Sequence, residues 1–467
     1  MKNKKFVLTI CLFAILSLLL SSCGEKAPAG GVGGSGDDGG SVNASSEESG
    51  NAKYTEDGKR IITIGTWYDR YYVSKHTDIT DDPGMAEEVT AQMRLDRMRE
   101  IEEKYDVVLQ YANLTFDGVR ESIDTSIPSG KPDVDIYEVD LQFGVPAVLE
   151  GYSTTLEEIG LDDAAIGSQK AIETLQLPGQ QGVSLFAPIS NGSGRAYPLA
   201  FNLDMLTAAG LENPQDLYDR GEWTWDKWRE YLKVLTKDTD GDGAADVYGY
   251  GGYWPNLLSN LLMANGTGIA LGKTEELSSP ATAEVFAFIN TIYNEDKTAR
   301  PWDNENWEIN NQLYAQGVTA FWIGADWIFN SQGGADVGFE IGVVPWPTGP
   351  SGNQETDFQS LPSGNWYFIP KGADDPKLIY DVMYDWINWF DEDLSIGLSD
   401  QWSRDMYMSE RNYDYARMMG ERRGFDLWNY LGADFNVTEL LAGNVTPDEL
   451  IADSKASFQE TLDKYYK

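Results

Sequence analysis

Trp67, Tyr68, Asp69 and Arg70 follow one another at the end of a β-rich run: two flat rings, then two charged hydrogen-bonding groups. That set suits a sugar. Aromatic faces cover its C–H surfaces, and carboxylates, amides and guanidinium groups meet its rim of hydroxyls. Tyr253 and Trp254 after a Gly-rich turn, Trp322 and Trp327 on either side of Gly324, and Trp366 further along repeat the aromatic half. Glu138 and Asp140, flanking the end of another β-rich run, repeat the acidic half. Each ring fits a core position equally well, and Asp140 fits a helix or turn cap. Of Trp322 and Trp327, one is expected in the core and the other in a pocket. Trp228, Trp386 and Trp389 stand at helical spacing and are expected in the core. The chain has one histidine, His76, which reads as a surface loop residue. A His-rich metal site, and any mechanism needing two histidines, are excluded.

A different chemistry sits in Asp238-Thr239-Asp240-Gly241-Asp242-Gly243-Ala244-Ala245-Asp246. Carboxylates at loop positions 1, 3, 5 and 9, with Gly at 6, match a calcium loop of EF-hand type, in which Ala244 would supply a backbone carbonyl. Position 12 is Gly249 rather than the bidentate Glu, which removes a major ligand unless another segment supplies one. The alternative is an Asp/Gly-rich surface turn held by Asx bonds. Ca2+ here would be structural. No organic cofactor is expected. Neither β-rich run leads into a GxGxxG loop, and no GxxxxGK loop occurs.

The N-terminus carries an address. Lys2, Lys4 and Lys5 precede the apolar run Phe6 to Leu20, which is 15 residues long and shorter than the ~20 needed to span a bilayer. The following Leu20-Ser21-Ser22-Cys23-Gly24 resembles the bacterial lipoprotein box, in which the cysteine becomes lipidated. Residues 1–22 are then a lipoprotein signal peptide. Residues 23–57, rich in Gly, Ser, Asp and Ala, form a flexible tether that cannot repay the entropy of folding. Cys11 would be removed with the signal, so no disulfide is expected. The whole chain of 467 residues has room for two or three domains. Asp and Glu total 75 against 35 Lys and Arg, a formal charge of -40. Such a surface excludes a non-specific nucleic-acid binder and broad attraction to anionic lipid.

The elements needed to position these residues are legible in outline. Arg60 to Gly65, Val107 to Tyr111 and Asp135 to Val139 read as strands. Met85 to Lys104 and Thr115 to Ile127 read as the helices between them. Strand and helix in alternation predict a mostly parallel sheet with helices on both faces, and such sheets place ligands beyond the carboxyl ends of their strands. Thr66 to Tyr72 and the turn at Asp140 are therefore candidate pocket walls. Further on, Ala196 to Asn202 reads as an extended crossing, and Asp204 to Ala209 as a short helix stopped by Gly210. Thr224 reads as the N-cap of a helix reaching Leu235; Pro280 to Tyr293 and the stretch opened by Asp375-Pro376 are helical in pattern.

Six blocks, in order, resemble the extracellular solute-binding proteins of bacterial carbohydrate ABC importers, maltodextrin-binding type (family 1). They are the lipoprotein start; Arg195-Ala196-Tyr197-Pro198-Leu199-Ala200-Phe201-Asn202 with Met205-Leu206 and Ala209-Gly210-Leu211; Glu222-Trp223-Thr224-Trp225-Asp226-Lys227-Trp228; Leu262-Met263-Ala264-Asn265-Gly266; Tyr314 to Gly324; and Val344 to Pro350 followed by Gly364 to Gly372. Leu203 stands where the family has Lys. The resemblance implies an α/β, two-lobe, periplasmic-binding-protein-like fold of type II, with ligand in the interlobe cleft. Lobe 1 would hold residues 58–199 and 364–410, and lobe 2 residues 200–363 and 411–467. It implies a non-enzymatic receptor that captures an oligosaccharide or related sugar outside the membrane and delivers it to the permease transmembrane subunits by lobe closure. The receptor is expected to be monomeric and held on the extracellular face by its lipid alone, as suits a Gram-positive cell. Ligand contact is expected from Trp67, Tyr68, Asp69, Arg70, Asp140, Tyr253, Trp254, Trp322, Trp327 and Trp366. Calcium-dependent loops occur in the family, which points to Asp238, Asp240, Asp242, Ala244 and Asp246. Two alternatives stay open. One is a cell-surface glycoside hydrolase, which needs only two carboxylates ~5–5.5 Å or ~6.5–9.5 Å apart. The other is a receptor for a non-sugar solute.

Overall fold

A computed structural model describes residues 53–68, 91–162, 177, 182–188, 196–303, 313–325, 328–329, 337–357, 365–390, 401–422 and 424–466. Its strands form two separate sheets. The first has the order β2-β1-β3-β9-β4, with β1 Arg60–Thr66, β2 Val107–Asn113, β3 Ile136–Val139, β4 Ser153–Thr154 and β9 Trp366–Pro370. The second has the order β6-β7-β5-β8, with β5 Leu199–Asn202, β6 Tyr248–Tyr250, β7 Thr319–Ile323 and β8 Ile341–Val344.

The first sheet is parallel where strand and helix alternate. β1 pairs in parallel with β2 and β3. Its helices are α1 Ala91–Tyr105, α2 Phe116–Ser126, α3 Leu141–Leu149 and α7 Pro376–Ile387. Side-chain alternation sorts them onto two faces. Ile62, Ile64, Tyr367 and Ile369 point to one core with Met98 and Ile101 of α1 and Ile379 and Met383 of α7. Tyr137, Val139, Trp366 and Phe368 point to the other with Val119 and Ile123 of α2 and Phe143 of α3. The sheet is not parallel throughout. β9 arrives from far along the chain and runs antiparallel to both β3 and β4. The Tyr137 and Phe368 rings, opposite one another across that pairing, stack at 5.0 Å.

The second sheet is mixed in the same way: β5 runs antiparallel to β7 and β8, while β6 is parallel to β7. Every residue of β5, β7 and β8 is buried, as strands covered on both faces require. Around it lie α4 Trp225–Leu235, α5 Trp254–Ala264, α6 Pro280–Asn290, α8 Glu410–Glu421 and α9 Pro447–Tyr465. Thr224 caps α4 by accepting the Lys227 N–H at 3.3 Å, as its position predicts. Trp223, Trp225 and Trp228 all serve the core: Trp223 donates to the Pro345 carbonyl at 3.1 Å, and Trp225 stacks on Phe288 at 4.7 Å. The helix predicted over Pro280 to Tyr293 is α-helical to Asn290, then widens into a π turn over Thr291–Glu295.

β8 lies at the edge of its sheet, where a further strand would otherwise pair. A side chain takes that place. Asn412 of α8 accepts the Val343 N–H at 2.9 Å and donates to the Ile341 carbonyl at 3.0 Å and the Tyr407 carbonyl at 2.9 Å. Gln215 adds bonds to the Val343 carbonyl (2.7 Å) and to Asn412 Oδ1 (2.9 Å). Between the sheets, the crossing at Ala196 to Pro198 is fixed to the second. Trp346 donates to the Tyr197 carbonyl at 2.6 Å and Gly324 to the Pro198 carbonyl at 2.7 Å. No described helix is long and apolar enough to cross a membrane.

Candidate functional site

Three chain segments reach one edge of the first sheet. β1 ends at Thr66 and runs on into Trp67 and Tyr68; β3 ends at Val139, next to Asp140; and β9 begins at Trp366, directly opposite Val139. Glu138 is fully buried there. It accepts the Tyr68 hydroxyl at 3.1 Å and the Asn365 Nδ2 at 3.0 Å, so part of its desolvation is offset by donors on two other segments. Rings continue along this edge. Trp67 is 5.1 Å from Tyr68 and 5.8 Å from Phe143, which lies 5.1 Å from the exposed Phe116.

Asp140 is the N-cap of α3. Its carboxylate accepts the Gln142 N–H at 3.0 Å and the Gln142 Nε2 at 2.7 Å. The cap and the candidate site role are compatible, because one carboxylate has more than two lone-pair positions. Burial dominates its acidity and pushes it from 3.8 up to about 7, against the Gln142 bonds and the charge of Arg120. Arg120 of α2 stands over the Phe143 ring at 5.7 Å.

A second group of rings comes from the second sheet's helices and the C-terminal segment. Tyr253 occupies the N-cap position of α5 without a side-chain capping bond, and Trp254 is the helix's first residue. Gly252 permits the turn before them, since a Cβ there would stand 2.6 Å from the Tyr250 hydroxyl. Tyr253 lies 5.7 Å from Trp302, and Trp254 lies 6.1 Å from Trp428. Trp428 is placed by Asp426, a buried carboxylate that accepts the N–H groups of Ile269 (2.7 Å), Ala270 (2.9 Å) and Trp428 (3.0 Å). It thus ties the C-terminal segment to the loop after α5. Burial raises the Tyr253 phenol's pKa, helped by Tyr197 and Asp140; burial raises that of Tyr430, helped first by Asp140 and then by Tyr197 and Asp426. Asp140, Tyr197, Tyr253 and Tyr430, from well-separated stretches of the chain, thus lie close enough to feel one another's charge.

The sequence-expected residues divide accordingly. Trp67, Tyr68 and Asp140 stand at the ends of β1 and β3, and Tyr253 and Trp254 at the start of α5. Trp322 has no exposed surface and stacks on Tyr314 at 4.4 Å, which places it in the core. Trp366 is also buried, facing the core shared with Tyr137 and Phe368. Trp228 and Trp386 are buried as expected; Trp389 lies beyond the end of α7 and is half-buried. Asp69, Arg70, His76, Trp327 and Cys23 lie outside the described residues. Phe116, Phe143, Trp302, Trp428 and Tyr430, which the sequence does not single out, lie beside these candidates. Phe143 carried a local signal, standing three residues after a capping Asp; the last three are brought in only by tertiary contacts.

In the Asp-rich loop, carboxylate oxygens of Asp238, Asp240 and Asp246 lie within 4.8 Å of one another, and this cluster can coordinate a divalent ion. Asx bonds shape the loop: Asp238 accepts N–H groups of Gly241 (2.6 Å) and Gly243 (2.9 Å), and Asp246 accepts that of Thr239 (2.7 Å). Asp242 accepts the Ala244 N–H at 2.8 Å and is not part of the cluster. Position 12 is closed to any side chain. A Cβ on Gly249 would come within 2.6 Å of the Leu232 backbone in α4.

The profile of the family described as bacterial extracellular solute-binding protein matches residues 76–390. Comparison with curated protein sequences gives no match. Among solved structures, the maltose/maltodextrin-binding domain MalE of Bdellovibrio bacteriovorus, bound to maltotriose, is similar with a TM-score of 0.56 and 15% identity, over 86% of this chain and 99% of that one. An ABC substrate-binding protein of Listeria monocytogenes, in complex with cycloalternan, gives 0.59 and 16%, over 86% and 99%. UgpB of Mycobacterium tuberculosis, in complex with glycerophosphocholine, gives 0.59 and 14%, over 87% and 99%. These likenesses show the fold, a two-lobe α/β arrangement of the periplasmic-binding-protein kind.

Proposed function

Because this chain belongs to the bacterial extracellular solute-binding protein family, we propose that it captures an oligosaccharide between its lobes and hands it to the membrane subunits of an ABC importer. The family and fold are those of non-catalytic solute-binding proteins, so no bond is made or broken. One observation carries the sugar reading. Ring clusters at the end of the first sheet (Trp67, Tyr68) and at the start of α5 (Tyr253 with Trp302, Trp254 with Trp428) accompany a group of polar side chains, Asp140, Tyr197, Tyr253 and Tyr430, close enough to feel one another's charge. Rings and hydroxyl partners together match the two surfaces of a pyranose. The maltotriose and cycloalternan held by two similar structures support the same class.

In this reading lobe 1 is residues 58–199 with 364–410, and lobe 2 is 200–363 with 411–467. Lobe closure buries the ligand against Trp67, Tyr68, Asp140, Tyr253 and Trp254. Trp322 and Trp366 back these residues from the core; Asp69, Arg70 and Trp327, outside the described residues, are proposed as further ligand contacts on their sequence alone. A lipid on Cys23 anchors a monomer to the outer face of a Gram-positive cell.

Titrating the chain with maltotriose, cycloalternan and glycerophosphocholine, while recording tryptophan emission, tests this. Saturable binding of a glycan, recovered unchanged, is the expected result, and Trp254→Ala should weaken it roughly tenfold. Response to glycerophosphocholine alone would replace the sugar by a non-sugar polyol, as the likeness to UgpB allows. Cleaved glycan would overturn the receptor.

Ca2+ is the proposed occupant of the Asp238 loop. With position 12 closed, affinity is expected in the weak range of about 10⁻⁴–10⁻³ M. Millimolar calcium should raise the melting temperature by a few degrees, and Asp238→Asn should abolish that shift.

A further inference from the structure

The C-terminal end of α9 touches the first lobe. α9 belongs to the second: it opens with a capping box at Thr446 and Glu449, packs against α6 and the short helix Val437–Leu441, and buries Phe458 and Leu462 there. Its last turn reaches across to Glu150. The Tyr465 hydroxyl donates to Glu150 Oε1 at 2.7 Å, and the Lys464 ammonium pairs with the same oxygen while lying 4.6 Å over the Tyr465 ring. Glu150 is the C-cap of α3, which packs on α2, β3 and β9 of the first lobe.

The position of Glu150 gives this contact its meaning. α3 is nine residues long, or about 13 Å at ~1.5 Å per residue. Its N-cap is Asp140, at the polar centre of the cleft; its C-cap is the group that α9 holds. On the other side, Tyr466 lies close enough to feel the charge of Asp426, whose turn carries Trp428 and Tyr430. One contact thus joins the rigid element behind one cleft wall to the element behind the other. We propose that Glu150, Lys464 and Tyr465 form an interlobe latch that favours the lobe arrangement in which Asp140 faces Tyr253 and Tyr430. The latch needs no assumption about the ligand. It sets the fraction of chains ready to bind, and apparent affinity scales with that fraction.

Surface ion pairs are weak, so the expected effect is roughly two- to fivefold in the population ratio. Spin labels at the exposed Thr125→Cys on α2 and Ala452→Cys on α9, in the full chain with Cys11 and Cys23 replaced by Ser, report the interlobe distance without ligand. Glu150→Lys and Lys464→Glu should each add a longer-distance population. The double charge swap should restore the parent distribution, and Tyr465→Phe should give a smaller change of the same sign. Raising salt to about 0.5 M should move the parent toward the single variants, since it screens exposed charges. Unchanged distances in both single variants, or a swap that fails to restore, would overturn the latch. Maltotriose affinity, measured in parallel, should weaken in the same order. If no variant binds maltotriose while the distances respond, the sugar reading falls and the latch stands.

Discussion

Replacing Asn412 by Leu is expected to lower stability by about 3–5 kcal/mol, the largest loss foreseen for a single side chain that touches no ligand. Leucine keeps the branching and heavy-atom count of asparagine, but its methyl groups are bulkier than the amide, so overpacking adds to the loss. The main cause is the unpaired edge of β8. Without the amide, the Val343 N–H and the carbonyls of Ile341 and Tyr407 lose their partners at a site only 2% open to water. Each buried polar group left unpaired costs about 1–3 kcal/mol. Gln215 keeps its bond to the Val343 carbonyl but loses Asn412 Oδ1. At roughly 2–4 °C per kcal/mol, calorimetry should show the second-lobe transition falling by about 10 °C. Asn444→Leu, which removes only an exposed bond to Glu439, should stay within ~0.5 kcal/mol. A shift no larger in the Asn412 variant would mean that water replaces the amide.

Asp140→Asn is expected to stabilise the chain at pH 8 by about 1–4 kcal/mol and to leave it nearly unchanged at pH 4. The sign follows from the direction of its shift. Burial raises the folded pKa from 3.8 to about 7. Below the lower value both states carry the proton, and nothing is lost. Between the two the folded state holds more protons than the unfolded, so stability falls as pH rises; above the upper value the whole penalty is present. Asparagine removes the charge yet caps a helix as well as aspartate. Urea unfolding at the two pH values measures the difference, and an equal gain at both would show that the carboxylate's charge is not the source. In the proposed function the same variant should bind glycans less tightly, because it loses a charged acceptor. A gain in stability with a loss in affinity is the mark of a group retained for binding.

Local features of this fold were legible because they depend on neighbours in sequence. The three parallel strands, the Thr224 cap, the cap option for Asp140 and the stop at Gly210 all follow from a few consecutive residues. The direction of β9 does not. Tyr137 and Phe368 meet across a sequence separation of 231, and nothing near Phe368 states which way its strand will run. The aromatic walls show the same limit. Trp254 and Trp322 each follow small and apolar residues, but one opens a helix beside Trp428 and the other stacks on Tyr314 inside the sheet's core. Asp426 brings Trp428 beside Trp254 by capping a turn and gripping the loop at Ile269, a contact invisible without the fold. The Asp238 loop was readable in its spacing. The closure of its twelfth position by Leu232 was not.

The burial of the tryptophans also divides the molecule spectroscopically. Trp223, Trp228, Trp322 and Trp346 are sealed among other rings and form a blue-emitting population beyond the reach of a soluble quencher. Trp67 and Trp254, the rings proposed to meet the ligand, keep a little surface, and Trp302 keeps more. Iodide, repelled by a strongly acidic surface, should quench this second group less than neutral acrylamide does. The difference between the two quenchers, before and after a ligand is added, isolates the emission of the cleft from the constant glow of the core.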